Sequence, residues 1–146
     1  MMTLQNLLGK TLDVVTANRE TIGHLLAAAE RNLGDAALPA LSPENRFDVA
    51  YKAIMQCAMI ALHANGYRTL TSRPGHHQTA IQSLPLTIGL ATEETIVLDA
   101  LRKQRNLADY DGGPVPDSAV QTCLACASSL LNALKTWLAK NRPDLL

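Results

Sequence analysis

The sequence reads as an all-α protein, an antiparallel bundle of four to five helices. Three observations predict this. Leu and Ala dominate an apolar fraction of 47% that includes only one Trp, three Tyr and one Phe, a mix that favours helix over strand. Apolar residues recur at spacings of three and four along most of the chain, and no stretch alternates polar with apolar residues. The breaks between these periodic stretches fall at Gly, Pro and Asn, where helices stop. At 146 residues the chain has the usual size of one domain around one core, so a single helical domain over residues 1–146 is expected.

Taken in order, residues 3–34 carry Leu4, Leu7, Leu8, Leu12, Val15, Ile22, Leu25, Leu26, Ala29 and Leu33 at helical spacing. Gly9 and Val14-Val15-Thr16 weaken the middle of that run. It is expected to split into a short first helix and a longer one from Asn18 to Leu33, ended by Gly34. Ser42-Pro43-Glu44 is a strong start signal: the Ser hydroxyl can accept a free backbone N–H, and Pro suits the first helical position. Phe47, Ala50, Tyr51, Ile54, Met55, Ala58, Ala61 and Leu62 then mark one face as far as Ala64, and Asn65-Gly66 closes the helix. Thr69 to Gly75 reads as a loop, and HHQTAIQSLPL as a short helix broken before Pro85. Thr92-Glu93-Glu94 opens another helix, its acids complementing the dipole, with Ile96, Val97, Ala100, Leu101 and Leu107 expected to face inward. Gly112, Gly113, Pro114 and Pro116 stop it. Asp117 caps a last helix whose Val120, Cys123, Leu124, Ala127, Leu130, Leu131, Leu134, Trp137 and Leu138 keep the same spacing until Pro143.

Thirteen basic and thirteen acidic residues cancel, so no global field draws the chain to nucleic acid or to anionic membrane, and any RNA contact must come from a local patch. No run of about 18 apolar residues is present, and MMTLQNLLGK lacks a basic stretch leading into an apolar one. A cytoplasmic protein with no membrane partner is expected. Cys57, Cys123 and Cys126 are an odd number and read as reduced thiols. Cys123 and Cys126 are three apart in a helix, with no preceding strand and no second Cys pair, so core packing is expected of them rather than redox or zinc chemistry.

Two blocks carry a resemblance. The first runs through Pro43, Glu44, Arg46, Phe47, Ala50-Tyr51, Ala53 and Ala58 to Gly66-Tyr67-Arg68 and Gly75-His76-His77. The second is Leu101-Arg102-Lys103-Gln104-Arg105-Asn106-Leu107-Ala108-Asp109-Tyr110. In this order, over residues 18–138 or so, they resemble bacterial members of the HEPN superfamily, the second block being similar to the helix that bears that superfamily's Arg-Asn motif. The resemblance implies a bundle of four or five helices, frequently homodimeric. It also implies a possible link to RNA, since many relatives are metal-independent endoribonucleases. Among these are toxins of toxin–antitoxin pairs whose antitoxin partner is a minimal nucleotidyltransferase.

In the nuclease relatives the Arg is followed within four to six residues by a His, and the motif meets its symmetry mate across the dimer. An imidazole with a pKa of about 6.5 can take and return the proton of a 2′-hydroxyl while a guanidinium steadies the phosphate. Here Arg105 and Asn106 match, but position 110 is Tyr, and a phenol with a pKa of about 10 is a poor base at neutral pH. Tyr110 can still donate to a phosphate or stack on a base. The plain alternative is that Arg105 pairs with Asp109 four residues on, while Tyr110 and Asp111 cap the helix. Arg102, Lys103 and Arg105 form a basic cluster that a nearby two-fold axis would double into a phosphate-binding groove; otherwise they are a solvated face. His76 and His77 would supply the base that Tyr110 cannot, if they reach Arg105. If they do not, one packs in the fold and the other caps the short helix. No spacing suggests a metal or other cofactor. His24 and His63 suggest no chemistry. Three functions follow: an RNA-phosphate-binding dimer in a toxin–antitoxin setting, a metal-independent endoribonuclease, and a non-catalytic module binding a nucleotidyltransferase.

Overall fold

The computed structural model describes residues 3–146; the first two residues of the MMTLQNLLGK segment lie outside them. The protein is an all-α bundle. Four long helices, α1 (Arg19–Ala36), α2 (Pro43–Ala64), α5 (Thr92–Asp111) and α6 (Asp117–Asn141), enclose the core, and two short ones, α3 (His76–Gln82) and α4 (Leu84–Thr87), join α2 to α5. A three-residue 3₁₀ turn precedes α1 and another follows α6.

α2 forms as its start signal predicts. Ser42 accepts from the N–H of Asn45 at 3.2 Å, Pro43 takes the first turn, and the helix ends at Ala64 with Asn65 behind it. Twelve of its side chains are buried, which makes it the central helix, packed against α1 on one side and α6 on the other. α1 starts where Asn18 accepts from the N–H of Thr21, but it runs through Gly34 to Ala36. Gly34 keeps a helical φ, so the stop comes later. There Arg46 of α2 donates to the carbonyl of Ala36 at 2.8 Å and satisfies the end of the helix.

The expected first helix is a correction: only Gln5–Leu7 turns helically, and the chain then extends as a strand, β1 (Leu12–Val14). It pairs antiparallel with β2 (Tyr67–Thr69), Leu12 opposite Thr69 and Val14 opposite Tyr67. The loop expected from Thr69 therefore begins one residue later, at Leu70. Gly66, at φ 89°, reverses the chain behind α2 so that its carbonyl meets the N–H of Val15 at 2.9 Å. Strands of three residues are too short to show alternation. Their pairing depends on segments more than fifty positions apart meeting in space, a fact no local window holds.

The core is one continuous cluster built from α1, α2, α3, α5 and α6, with Leu12 of β1 sealed into it. In α6, Val120, Cys123, Ala127, Leu130, Leu131, Leu134 and Leu138 are buried as expected, while Leu124 and Trp137 are only half-buried. Asp117 is the first helical residue rather than the cap, and its side chain makes no capping bond. In α5 the expected inward face holds at Leu101 and fails at Ile96, Val97, Ala100 and Leu107. Thr95, Leu98 and Leu101 are buried, whereas Ile96 is 64% and Leu107 63% exposed, with Val97 and Ala100 exposed as well. The reason lies in packing: α5 rests on α2 and α3, and the side it turns to them is offset from its apolar stripe. Among the described residues, no helix is long and apolar enough to cross a membrane.

Candidate functional site

The side of α5 that faces its neighbours runs through Thr95, Leu98 and then Arg102 and Arg105, at steps of three and four. Arg102 has a side chain only 14% exposed, and it donates through Nε to Asp99 at 2.8 Å. Arg105 lies 29% exposed, and its guanidinium carbon sits 5.2 Å from the centre of the Tyr51 ring on α2. Its Nε donates to Asp48 at 3.2 Å, with Asp109 at 3.8 Å on the same nitrogen. Among the described residues, the bond from Nε is its one hydrogen bond to a carboxylate.

Tyr51 joins this arginine to the histidines. Its phenol oxygen lies 3.3 Å from Nδ1 of His77 at the start of α3, and the His76 and His77 rings meet edge to face at 4.6 Å. Burial pushes the Tyr51 phenol up to about 12, so it stays protonated at neutral pH and is available as a donor. Burial also holds His77 below the usual imidazole value, and the charges of His76, Arg105 and Arg102 lower it further. His77 is therefore neutral near pH 7. If Tyr51 donates to Nδ1, Nε2 of His77 carries the proton; the opposite orientation leaves Nε2 as an acceptor.

The neighbouring carboxylates temper the positive charge. Asp99 takes both Arg102 and Lys103, the latter at 3.6 Å with a side chain 68% exposed, and the Arg102 hydrogen bond holds the Asp99 carboxyl below its ordinary value. A shallow groove beside Arg105 is lined by Glu44, Asp48 and Asp109 as well as by Phe47 and Val115. An incoming phosphate would meet one partly free guanidinium rather than an open basic field.

Of the residues singled out by sequence, Arg102, Arg105, His76 and His77 come together around Tyr51. Asn106 and Tyr110 do not join them; both are exposed, Tyr110 at 89%, in the last turns of α5. The expected Arg105–Asp109 pair forms, with Asp48 added from α2. The cap of α5 is Gly112, left-handed at φ 63°, whose N–H reaches the carbonyl of Ala108; Tyr110 and Asp111 do not cap it. Tyr51 and Asp48 were missed as site residues. Both precede Arg105 by more than fifty positions, and Tyr51 sits on the apolar stripe of α2, where it reads as core.

The thiols belong to packing. Cys123 is fully buried and donates to the carbonyl of Phe47, and burial pushes Cys57 and Cys123 up to about 12. Among the described residues, no group of three or more His, Cys, Asp or Glu is placed to hold a metal ion. In comparisons with known proteins, no family model, curated protein or solved structure matches this chain.

Proposed function

We propose that this chain is a HEPN-like protein that acts as a homodimer and binds an RNA phosphate at Arg105, in a toxin–antitoxin setting. The observation that carries the reading is the line Arg105–Tyr51–His77–His76. It brings one guanidinium and two imidazoles, from segments far apart in sequence, onto one partly open surface. Asp48 holds Arg105 by Nε alone and leaves its terminal N–H groups for bidentate contact with phosphate oxygens. α5 also sets two arginines against its neighbours while Ile96, Val97 and Leu107 remain in water. Such conflict between local pattern and packing is typical of functional surfaces. Ile96 and Leu107 are about three turns apart and share a face, which suits a symmetric partner; Arg105 lies about half a turn round the helix from both, on the side that faces α2.

A second reading, metal-independent endoribonuclease, is favoured by His77. A neutral imidazole beside Arg105 at pH 7 has the protonation state a general base needs, which Tyr110 does not offer. A nucleotidyltransferase-type partner would instead use the exposed apolar stripe of α5, without chemistry at Arg105.

The test is titration of a labelled single-stranded RNA with purified protein in chelator, following both binding and cleavage. Arg105→Ala is expected to weaken binding about tenfold or more, equivalent to about 1.4 kcal/mol, while Tyr110→Ala changes it little. Cleavage lost in His77→Gln with binding retained would select the endoribonuclease. Wild type that neither binds nor cleaves RNA sinks both readings, and a monomeric mass by light scattering, unchanged in Leu107→Glu, removes the dimer.

A further inference from the structure

Toward the C-terminal end of α2, about three turns along it from the residues that touch Arg105, α1, α2, β2 and the segment after β2 enclose a cleft of about 400 Å³, within the range of small-molecule sites. Leu25 of α1 and Leu62 of α2 form apolar walls. Met59, an unbranched and adaptable side chain, is 41% exposed there although it belongs to the most buried helix. Residues able to donate, His63, Arg68, Thr69 and Thr71, are among those lining the cleft, and among the described residues no carboxylate side chain lines it.

His63 is held in one tautomer. The backbone N–H of Asn18 donates to its Nε2 at 2.9 Å, so the proton of the neutral ring resides on Nδ1, which is left as a donor. Burial lowers its pKa and keeps the ring neutral at pH 7. Arg68 is 63% exposed and gives one terminal nitrogen to Asp13 across the strand pair at 3.1 Å; its other N–H groups remain available.

We propose that this cleft binds a small molecule with an apolar body and an anionic head, a carboxylate or a phosphate. The body lies along Leu25, Met59 and Leu62, and the head accepts from Arg68, His63 and the threonine hydroxyls. The site is separate from Arg105 and does not depend on any activity there. Burial of the body removes apolar surface from water, and the donors orient the head.

The experiment is amide-resolved NMR titration of the full chain with three probes of equal length: octanoate, octyl phosphate and octanol. Saturable shifts confined to the cleft, at Thr69, Thr71 and the start of α1, are expected for one or both anions, and the tighter anion identifies the head group. Octanol is expected to bind about tenfold more weakly. Met59→Trp, which fills the cleft, should weaken the better anion about tenfold or more, and Arg68→Gln should weaken it severalfold while leaving octanol unchanged. If Met59→Trp fails to fold by circular dichroism, the exposed Arg68→Gln carries the test. No saturable shift with either anion, octanol binding equal to both, or no loss in Arg68→Gln overturns the proposal.

Discussion

Arg46 and Arg105 show how little an arginine's surroundings in sequence disclose about its work. Arg46 stands near the start of α2 and Arg105 near the end of α5. Arg46 spends its Nε on the last carbonyl of α1, a part-buried hydrogen bond that closes one helix from another. Arg105 makes its one hydrogen bond to a carboxylate among the described residues through Nε and lies over an aromatic ring. Removing Arg46 leaves a helix-end carbonyl without its charged donor, so Arg46→Ala is expected to cost about 1.5–3 kcal/mol in a urea unfolding midpoint series. A loss below about 0.5 kcal/mol would show that water replaces the bond. Arg142 repeats the device at the end of α2, donating to Ala64 at 2.9 Å while it pairs with Asp144. The missed role of Tyr51 belongs at this scale too. A buried tyrosine on an apolar stripe is read as core, and it is core; what no sequence window shows is that its hydroxyl end reaches His77 and its face receives Arg105.

At the scale of elements, ends were easier to read than faces. Asn18 and Ser42 both accept from the N–H three residues on, and Asn65-Gly66 and Gly112 end α2 and α5, because capping is a local matter of side-chain oxygen and backbone φ. Ser42→Ala removes the accepting oxygen and is expected to destabilise the protein by about 1 kcal/mol, read from thermal or urea unfolding; an unchanged midpoint would mean that Pro43 alone sets the start of α2. The inward face of α5 was misread because its apolar residues exceed what its contacts cover. α5 has α2 and α3 as neighbours, and the stripe of Ile96, Val97, Ala100 and Leu107 lies beside that contact, next to α6 or in solvent. The spacing of apolar residues specifies that a helix has a preferred side. It does not specify which partner takes that side, this chain or another.

For the whole molecule, three further ties join the elements: Asn32 of α1 bonds Gln56 of α2 at 2.8 Å, Glu30 of α1 pairs with Lys135 of α6, and the Asn65 amide reaches back to Ala61 and across to Thr87 of α4. Acid acts on the fold through two histidines. Burial holds both His63 and His77 below the ordinary imidazole value, so in the unfolded chain they bind protons at about 6.5 while the folded protein still excludes them. The unfolded state then carries more protons, and stability falls as pH drops through about 6.5, levelling off once the folded pKa values are passed. A second fall begins below about pH 4, where Asp99 of the unfolded chain takes up a proton that the folded carboxylate, held by its hydrogen bond from Arg102, still excludes. Unfolding midpoints measured from pH 8 to pH 3 are expected to show both declines; a flat profile between pH 7 and pH 5 would contradict the buried histidine environments.

By itself the sequence determined the helical class, the starts of the long helices, the stops of all of them but α1, and most of the α2 and α6 core. These follow from period, capping and backbone preference, which act over a few residues. Only the tertiary structure decided that residues 12–14 and 67–69 pair as strands, that α5 leaves apolar side chains in water, and that His77, Tyr51 and Arg105 form one line while Tyr110 stands outside it. Each of those outcomes depends on which distant segments meet, and that is set by the filling of the whole core rather than by any neighbour in the chain.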